Sequence, residues 1–241
     1  MSSQASAEDS AKLFPHTRWS VVLAASRPDS PESADALEAI CRAYWHPLYA
    51  YARRSGQSPH DAQDLTQAFF ALLLGKHWLQ TADRAKGRLR TFLIVALKNF
   101  MSKEWRRAST QKRGGAHPHI EFDSALGESF YAMDPGAQLA PDEAFDRQWA
   151  LTLLDLTLKR LQAEFAHFEA LKGSLMAERG TIDYSAMAQQ LGINAGAARV
   201  AVHRLRKRFR EIYREEISQT LAERADLDDE LRHLSAALAQ D

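Results

Sequence analysis

At 241 residues and 45% hydrophobic content, the chain has enough apolar material for one large packed domain or two small ones. Its 31 basic and 31 acidic residues cancel, so no overall charge draws it to nucleic acid or to a membrane surface. The single cysteine, Cys41, rules out an internal disulfide and a cysteine-cluster metal site.

Residues up to about Phe14 are small and polar. The start MSSQASAEDSAK lacks a signal-peptide core, and no apolar run approaches the roughly 20 residues of a membrane span, so a soluble cytoplasmic protein without membrane insertion is expected. Thr17 is placed as the cap of a short helix, TRWSVVLAAS, whose Trp19, Val22 and Leu23 form a packing arm. From Ser33 to Arg54 a wide apolar face (Leu37, Ile40, Cys41, Tyr44, Trp45, Leu48, Tyr49, Ala52) predicts a helix that Pro47 interrupts, with Cys41 packed as a small apolar residue. After a turn at Gly56, Ser58-Pro-His-Asp opens the next helix with a cap and a first-turn proline. In that helix Ala62, Leu65, Phe69, Leu72 and Leu73 face inward, while Asp61, Asp64 and Gln67 fall at steps of three on a common polar side. For the carboxylates the helix dipole is the ordinary explanation.

A loop with a turn around Trp78 follows, and Thr91–Arg107 forms the third main helix. It buries Leu93, Ala96, Leu97 and Phe100 and turns Lys98, Ser102, Trp105 and Arg106 outward. An outward tryptophan beside cations is the combination that stacks unpaired bases and follows a single-stranded backbone, and from this helix alone it is equally a ring that caps the core beside solvated cations. Gln111–Pro141 breaks every periodicity and is expected to be a linker, too long for a loop inside one compact domain. Pro141-Asp-Glu then opens a helix to about Phe168, with Phe145, Trp149, Leu153, Leu154, Leu158, Leu161 and Phe165 inward.

Asp183–Arg214 has the spacing of a helix-turn-helix. Ala188 leaves room for a crossing helix, Gly192 suits a left-handed turn, Met187, Leu191 and Ile193 pack inside, and Asn194 caps the second helix. There Ala198, Val202, Leu205, Phe209 and Ile212 make one buried stripe, and Arg199, Val200, His203, Arg204, Arg206, Lys207 and Arg210 lie on or beside the opposite side. Beyond Glu215 the spacing of Ile217, Leu221, Leu227, Leu231, Leu234 and Leu238 predicts one or two further helices. No alternation of period two occurs. The expected fold is all-α: two small helical domains (33–113 and 142–214) on a flexible acidic linker (114–141), with an N-terminal arm (1–32) and an acidic helical tail (215–241).

Local charge reverses the inference from net charge. Lys86–Arg113 holds nine Lys or Arg against Glu104, and Arg199–Arg214 holds seven against Glu211, whereas Gly114–Asp146 has seven acidic residues and no Lys or Arg. Two separated basic blocks point to two nucleic-acid surfaces. Catalysis is not expected: the nine histidines are dispersed, without metal-ligand spacing such as HExxH, and no phosphate-binding loop is present, so neither a metal nor another cofactor is expected.

The order of PHDAQDLTQAFFALLL, GRLRTFLIVALKNFMSKEWRRASTQKRGG, a linker and a terminal helix-turn-helix resembles bacterial RNA polymerase sigma factors of the sigma-70 family. Within it the likeness is to the extracytoplasmic-function group, which keeps only regions 2 and 4. The resemblance covers roughly Ala34–Arg113 and Phe145–Arg214. It implies binding of core RNA polymerase, with Asp61, Asp64 and Gln67 on the surface that docks to the polymerase clamp. Ala68 departs from the acidic residue common there. It also implies a pocket for a flipped minus-ten base at Arg84–Leu89, including Lys86, Gly87 and Arg88. Lys98, Asn99, Ser102, Trp105 and Arg106 would hold the opened non-template strand. The helix from Ala195 would read the minus-thirty-five element as duplex. Ala197 and Ala198 replace the family's usual threonine and valine, and Val200, also on the minus-thirty-five-binding side, follows Arg199; with fewer hydrogen-bonding side chains there, readout shifts to Arg199, His203 and Arg204, with Arg206, Lys207 and Arg210 on phosphates. Promoter DNA and core polymerase are the implied partners, and an anti-sigma factor is a further candidate. The competing reading from these residues is a stand-alone helix-turn-helix regulator, and the acidic tail leaves two readings open, that it folds back on a basic DNA-binding face or that it only balances charge.

Overall fold

The computed structural model describes residues 31–75, 89–110, 139–178, 180–221 and 227–239. Among them the fold is all-α, with no strand. The helices are α1 (Pro31–Arg54), α2 (Pro59–Gly75), α3 (Leu89–Thr110), α4 (Pro141–Glu164), α5 (Phe168–Leu171), α6 (Tyr184–Leu191), α7 (Ala195–Ser218) and α8 (Leu227–Leu238), with a 3-10 turn at Lys172–Leu175. The expected arm around Trp19, the loop around Trp78 with Lys86, Gly87 and Arg88, and most of the linker lie outside the described residues.

The chain divides into two compact units. The first takes α1 to α3, α4 as far as Thr152, and the segment from Ser218 that carries α8; the second is Leu153–Ile217.

In the first unit α1 and α2 form a hairpin. α1 ends at Arg54 and the chain reverses at Gly56, whose φ is 91°, while Gly56 and Gln57 donate their N–H groups to the carbonyls of Arg53 and Ala52. Ser58 then caps α2: its Oγ accepts from the Asp61 N–H at 3.1 Å and donates to the Asp61 carboxylate at 2.6 Å. The core is aromatic. Trp149 of α4 stacks on Tyr44 of α1 with centroids 4.5 Å apart, Trp45 stacks on Phe70, and Phe69 meets Phe100 of α3. Pro47 lies inside α1, which runs on to Arg54 as expected; it is itself buried and its neighbours Trp45 and Leu48 lie in the core, so packing outweighs the lost backbone hydrogen bond. Cys41 is buried as expected, and burial followed by the nearby Glu38 pushes its thiol up to about 12, which makes it inert.

α8 belongs to this unit through charge as well as apolar contact. Glu230 is fully buried against Arg90 of α3 at 2.9 Å, close enough for an ion pair though off the hydrogen-bond direction for those two atoms, and Arg90 also pairs with Asp146 of α4. His233 meets the same Asp146 at 2.8 Å, and the Arg147 guanidinium donates to the carbonyls of Ala237 and Leu238 at the C-terminus of α8, where a cation suits the helix dipole.

In the second unit Leu161, Phe168, Leu171, Val202, Leu205 and Ile212 form the core, with Met187, Leu191 and Phe209 packed against it. α4 stops at Glu164, short of the expected Phe168, and the chain turns before α5. Asp183 caps α6 by accepting from the N–H groups of Ser185 and Ala186. Gly192, at φ 67°, closes α6, and Ile193 N–H reaches back to the Ala188 carbonyl at 3.0 Å. Asn194 Oδ1 accepts from Ala197 N–H at 2.8 Å and so caps α7. Two expected core residues stand at the surface instead. Ile193 sits on the turn itself, outside the α6 stripe, and Leu158 is partly exposed on α4.

Candidate nucleic-acid interface

The first surface lies on α3. Asn99, Ser102, Trp105 and Arg106 recur at three- and four-residue steps and all are exposed, Trp105 to 75%. Leaving an indole in water forgoes the stabilisation of burying it, on the order of 2 kcal/mol or more, and leaves a flat apolar face open to a ligand. Val95, 49% exposed, extends the same row one turn earlier; in the sequence a lone valine beside Leu93 and Leu97 passes for core, and no local signal separates it from them. Lys98 differs from its neighbours. Its Nζ sits 2.7 Å from an Asp142 oxygen and 5.5 Å from the centre of the Tyr51 ring, and the hydrogen bond to Asp142 is the main cause raising its pKa. Of the residues expected at the polymerase-docking surface, Asp61 and Asp64 are exposed at the start of α2, but Gln67 is only 6% exposed. Each three-residue step lags a full helical turn by about 60°, so two steps carry Gln67 off the face of Asp61 and into the core.

Residues 40–111 match the family model of sigma-70 region 2. The match supports a sigma-70 family factor, with a role in polymerase binding and promoter melting, and that family is a non-enzymatic transcription initiation factor. Core RNA polymerase and promoter DNA are the partners it implies. No curated protein and no solved structure matches the chain. The region 2 match spans α1 from Ile40, all of α2 and all of α3, so the exposed row of α3 lies within it. No described helix is long and apolar enough to cross a membrane.

The second surface lies on α7, outside that match. Arg199, Val200, His203, Arg204, Lys207 and Arg210 are exposed on it. The Arg199 guanidinium lies over the Tyr184 ring at 5.1 Å, which limits its freedom without neutralising it. Lys207 pairs loosely with Glu211, at 3.8 Å. Arg206, expected on phosphates, turns inward: its Nε and Nη2 donate to the Ser174 carbonyl at 2.9 and 2.6 Å, and Nη2 also to the Ala177 carbonyl at 2.6 Å. It ties α7 to the chain around the 3-10 turn. Behind the exposed row, Arg208 forms a fork with Glu164 at 2.6 and 2.9 Å, and Arg160 bridges to Glu215 and Glu216.

Proposed function

We propose that this chain is a sigma factor of the extracytoplasmic-function type, which binds core RNA polymerase and directs it to promoters in the cytoplasm. The single observation that carries the reading is the tryptophan-bearing polar row of α3 inside a segment that matches sigma-70 region 2. In this reading Asp61 and Asp64 dock on the polymerase, while Lys86, Gly87, Arg88, Lys98, Asn99, Ser102, Trp105 and Arg106 hold the opened minus-ten strand. Each base captured by stacking returns about 1 to 3 kcal/mol toward the cost of melting. The helix-turn-helix of α6 and α7 reads the minus-thirty-five duplex, with Arg199, Val200, His203 and Arg204 at base edges and Lys207 and Arg210 on phosphates. Five exposed cationic or imidazole side chains along one face of α7, with an apolar stripe beneath, support that assignment.

The test is run-off transcription with core polymerase and genomic promoter fragments. Discrete transcripts that require both the protein and core enzyme are expected, and their start sites report the promoter motif. Tight binding to a palindromic duplex without polymerase, and no polymerase-dependent transcript, would replace this reading with that of a stand-alone regulator.

A further inference from the structure

The N-terminal half of α4 meets α3 through two rungs of opposite charge. Arg90 and Lys98 lie two turns apart on α3, Asp146 and Asp142 one turn apart on α4, and the pairs are Arg90 with Asp146 and Lys98 with Asp142. Ile94 and Phe145 lie between them, lining one small depression with Arg90, Asp142 and Asp146. The rungs differ in burial. Arg90 is buried and is held a second time by the fully buried Glu230 of α8, so its removal would strand charge in the interior. Lys98 and Asp142 keep about half of their side-chain surface in water, so their attachment is weak and readily exchanged. The fixed rung therefore holds a carboxylate in place on Lys98, beside the exposed row of Asn99, Ser102 and Trp105.

We propose that Asp142 is an anionic stand-in for a strand phosphate: it occupies Lys98 while no nucleic acid is bound, and an incoming single strand must displace it. α8 acts through Arg90 and Asp146 to keep α4 in register, so the C-terminal helix sets the height of this threshold. The proposal rests on the reading that α3 holds an opened strand. It also relocates the action of the acidic tail, whose buried Glu230 holds Arg90 of α3 and, through it, Asp146 of α4.

Binding of a fluorescein-labelled single-stranded oligodeoxynucleotide by the full chain, followed by anisotropy at low salt, tests it. Asp142→Asn should tighten binding about two- to five-fold, the scale of releasing an exposed ion pair. The gain should vanish in the Lys98→Ala background, and Glu143→Gln, which removes an equal charge one residue away, should give a smaller gain. A gain that persists without Lys98, or that Glu143→Gln matches, would reduce the effect to general repulsion and overturn the proposal. If Lys98→Ala weakens binding while Asp142→Asn changes nothing, the stand-in falls and the α3 reading stands. If Lys98→Ala has no effect, both fall.

Discussion

The two basic helices are built on opposite plans. On α3 two of the positive charges are restrained, Arg90 in the interior and Lys98 on Asp142, and what reaches solvent joins Lys103 and Arg106 to a tryptophan, a valine and small polar groups. On α7 the charges reach solvent, and what is restrained lies behind them, where Arg206 and Arg208 bind the rest of their unit. The first plan suits the faces of unpaired bases, which need flat apolar area and few phosphate contacts. The second suits a duplex, whose backbone presents a dense array of phosphates before any base edge is reached. On the proposed reading, opening and address are assigned to different helices.

The strongest way to break the contrast is to damage one unit and watch the other. Trp149→Ala removes the indole stacked on Tyr44 and should destabilise the first unit by about 3 to 5 kcal/mol. Duplex binding through α7 should survive to higher denaturant than single-strand binding through α3; simultaneous loss of both activities would show that the units do not act separately. Arg206→Ala should act next, by about 2 kcal/mol on the second unit, because it leaves the carbonyls of Ser174 and Ala177 without their charged donor. Denaturant midpoints measure that loss. The salt dependence of duplex binding should be unchanged, since the Arg206 guanidinium is turned to those carbonyls, and a shallower salt slope would return it to the phosphate set.

At the surfaces themselves, Trp105→Ala should reduce promoter opening by about 1 to 3 kcal/mol while leaving closed-duplex binding alone, as read by permanganate reactivity of unpaired thymines against a duplex gel shift. Arg199→Ala should show the converse. Its loss should be about 1 to 3 kcal/mol on the cognate minus-thirty-five duplex and small on scrambled sequence, whereas Lys207→Ala should weaken both alike and lower the salt slope by about 1. Equal losses on both duplexes for Arg199→Ala would remove it from base readout.

Local rules make much of this architecture legible. A left-handed glycine at Gly192, a carboxamide cap at Asn194, a methyl at Ala188 and the stripe of α7 are each written within a few residues of one another, and the structure has them as expected. Periodicity also exposes Trp105, because an indole off the apolar face has nowhere to bury. What the sequence hides depends on partners far along the chain. Periodicity says that Arg206 and Lys98 lie off the main stripe, and it starts the third helix at Thr91, just past Arg90; it does not say that Glu230 lies 140 residues on, against Arg90, or that carbonyls around a 3-10 turn await Arg206. Gln67 departs from expectation for a different reason, since steps of three look like a straight column in the sequence and spiral around the helix in space. Composition alone does not place the tail: its acidity leaves a counter-charge on a DNA-binding face and plain charge balance equally open, and it does not single out Glu230, whose carboxylate is fully buried against Arg90 in the first unit.

The smallest expected effect probes the restrained half of the second plan. Glu164 is held below the usual carboxylate range first by its hydrogen bonds from Arg208, against the desolvation that opposes them, with Arg208 and Arg160 adding attraction. A carboxylate whose folded pKa is depressed stabilises the fold fully above its unfolded value, here near 4.5, and loses that contribution as pH falls through the folded one. Glu164→Gln should therefore cost under about 1 kcal/mol at neutral pH, because the group remains partly in water and screened. The difference between wild type and variant should shrink as the pH drops below 4.5, and denaturant titrations at neutral and acidic pH measure it. A difference that stayed constant with pH would mean that Glu164 supports α7 by shape alone, and that the ionic backing behind its exposed row is not what holds it.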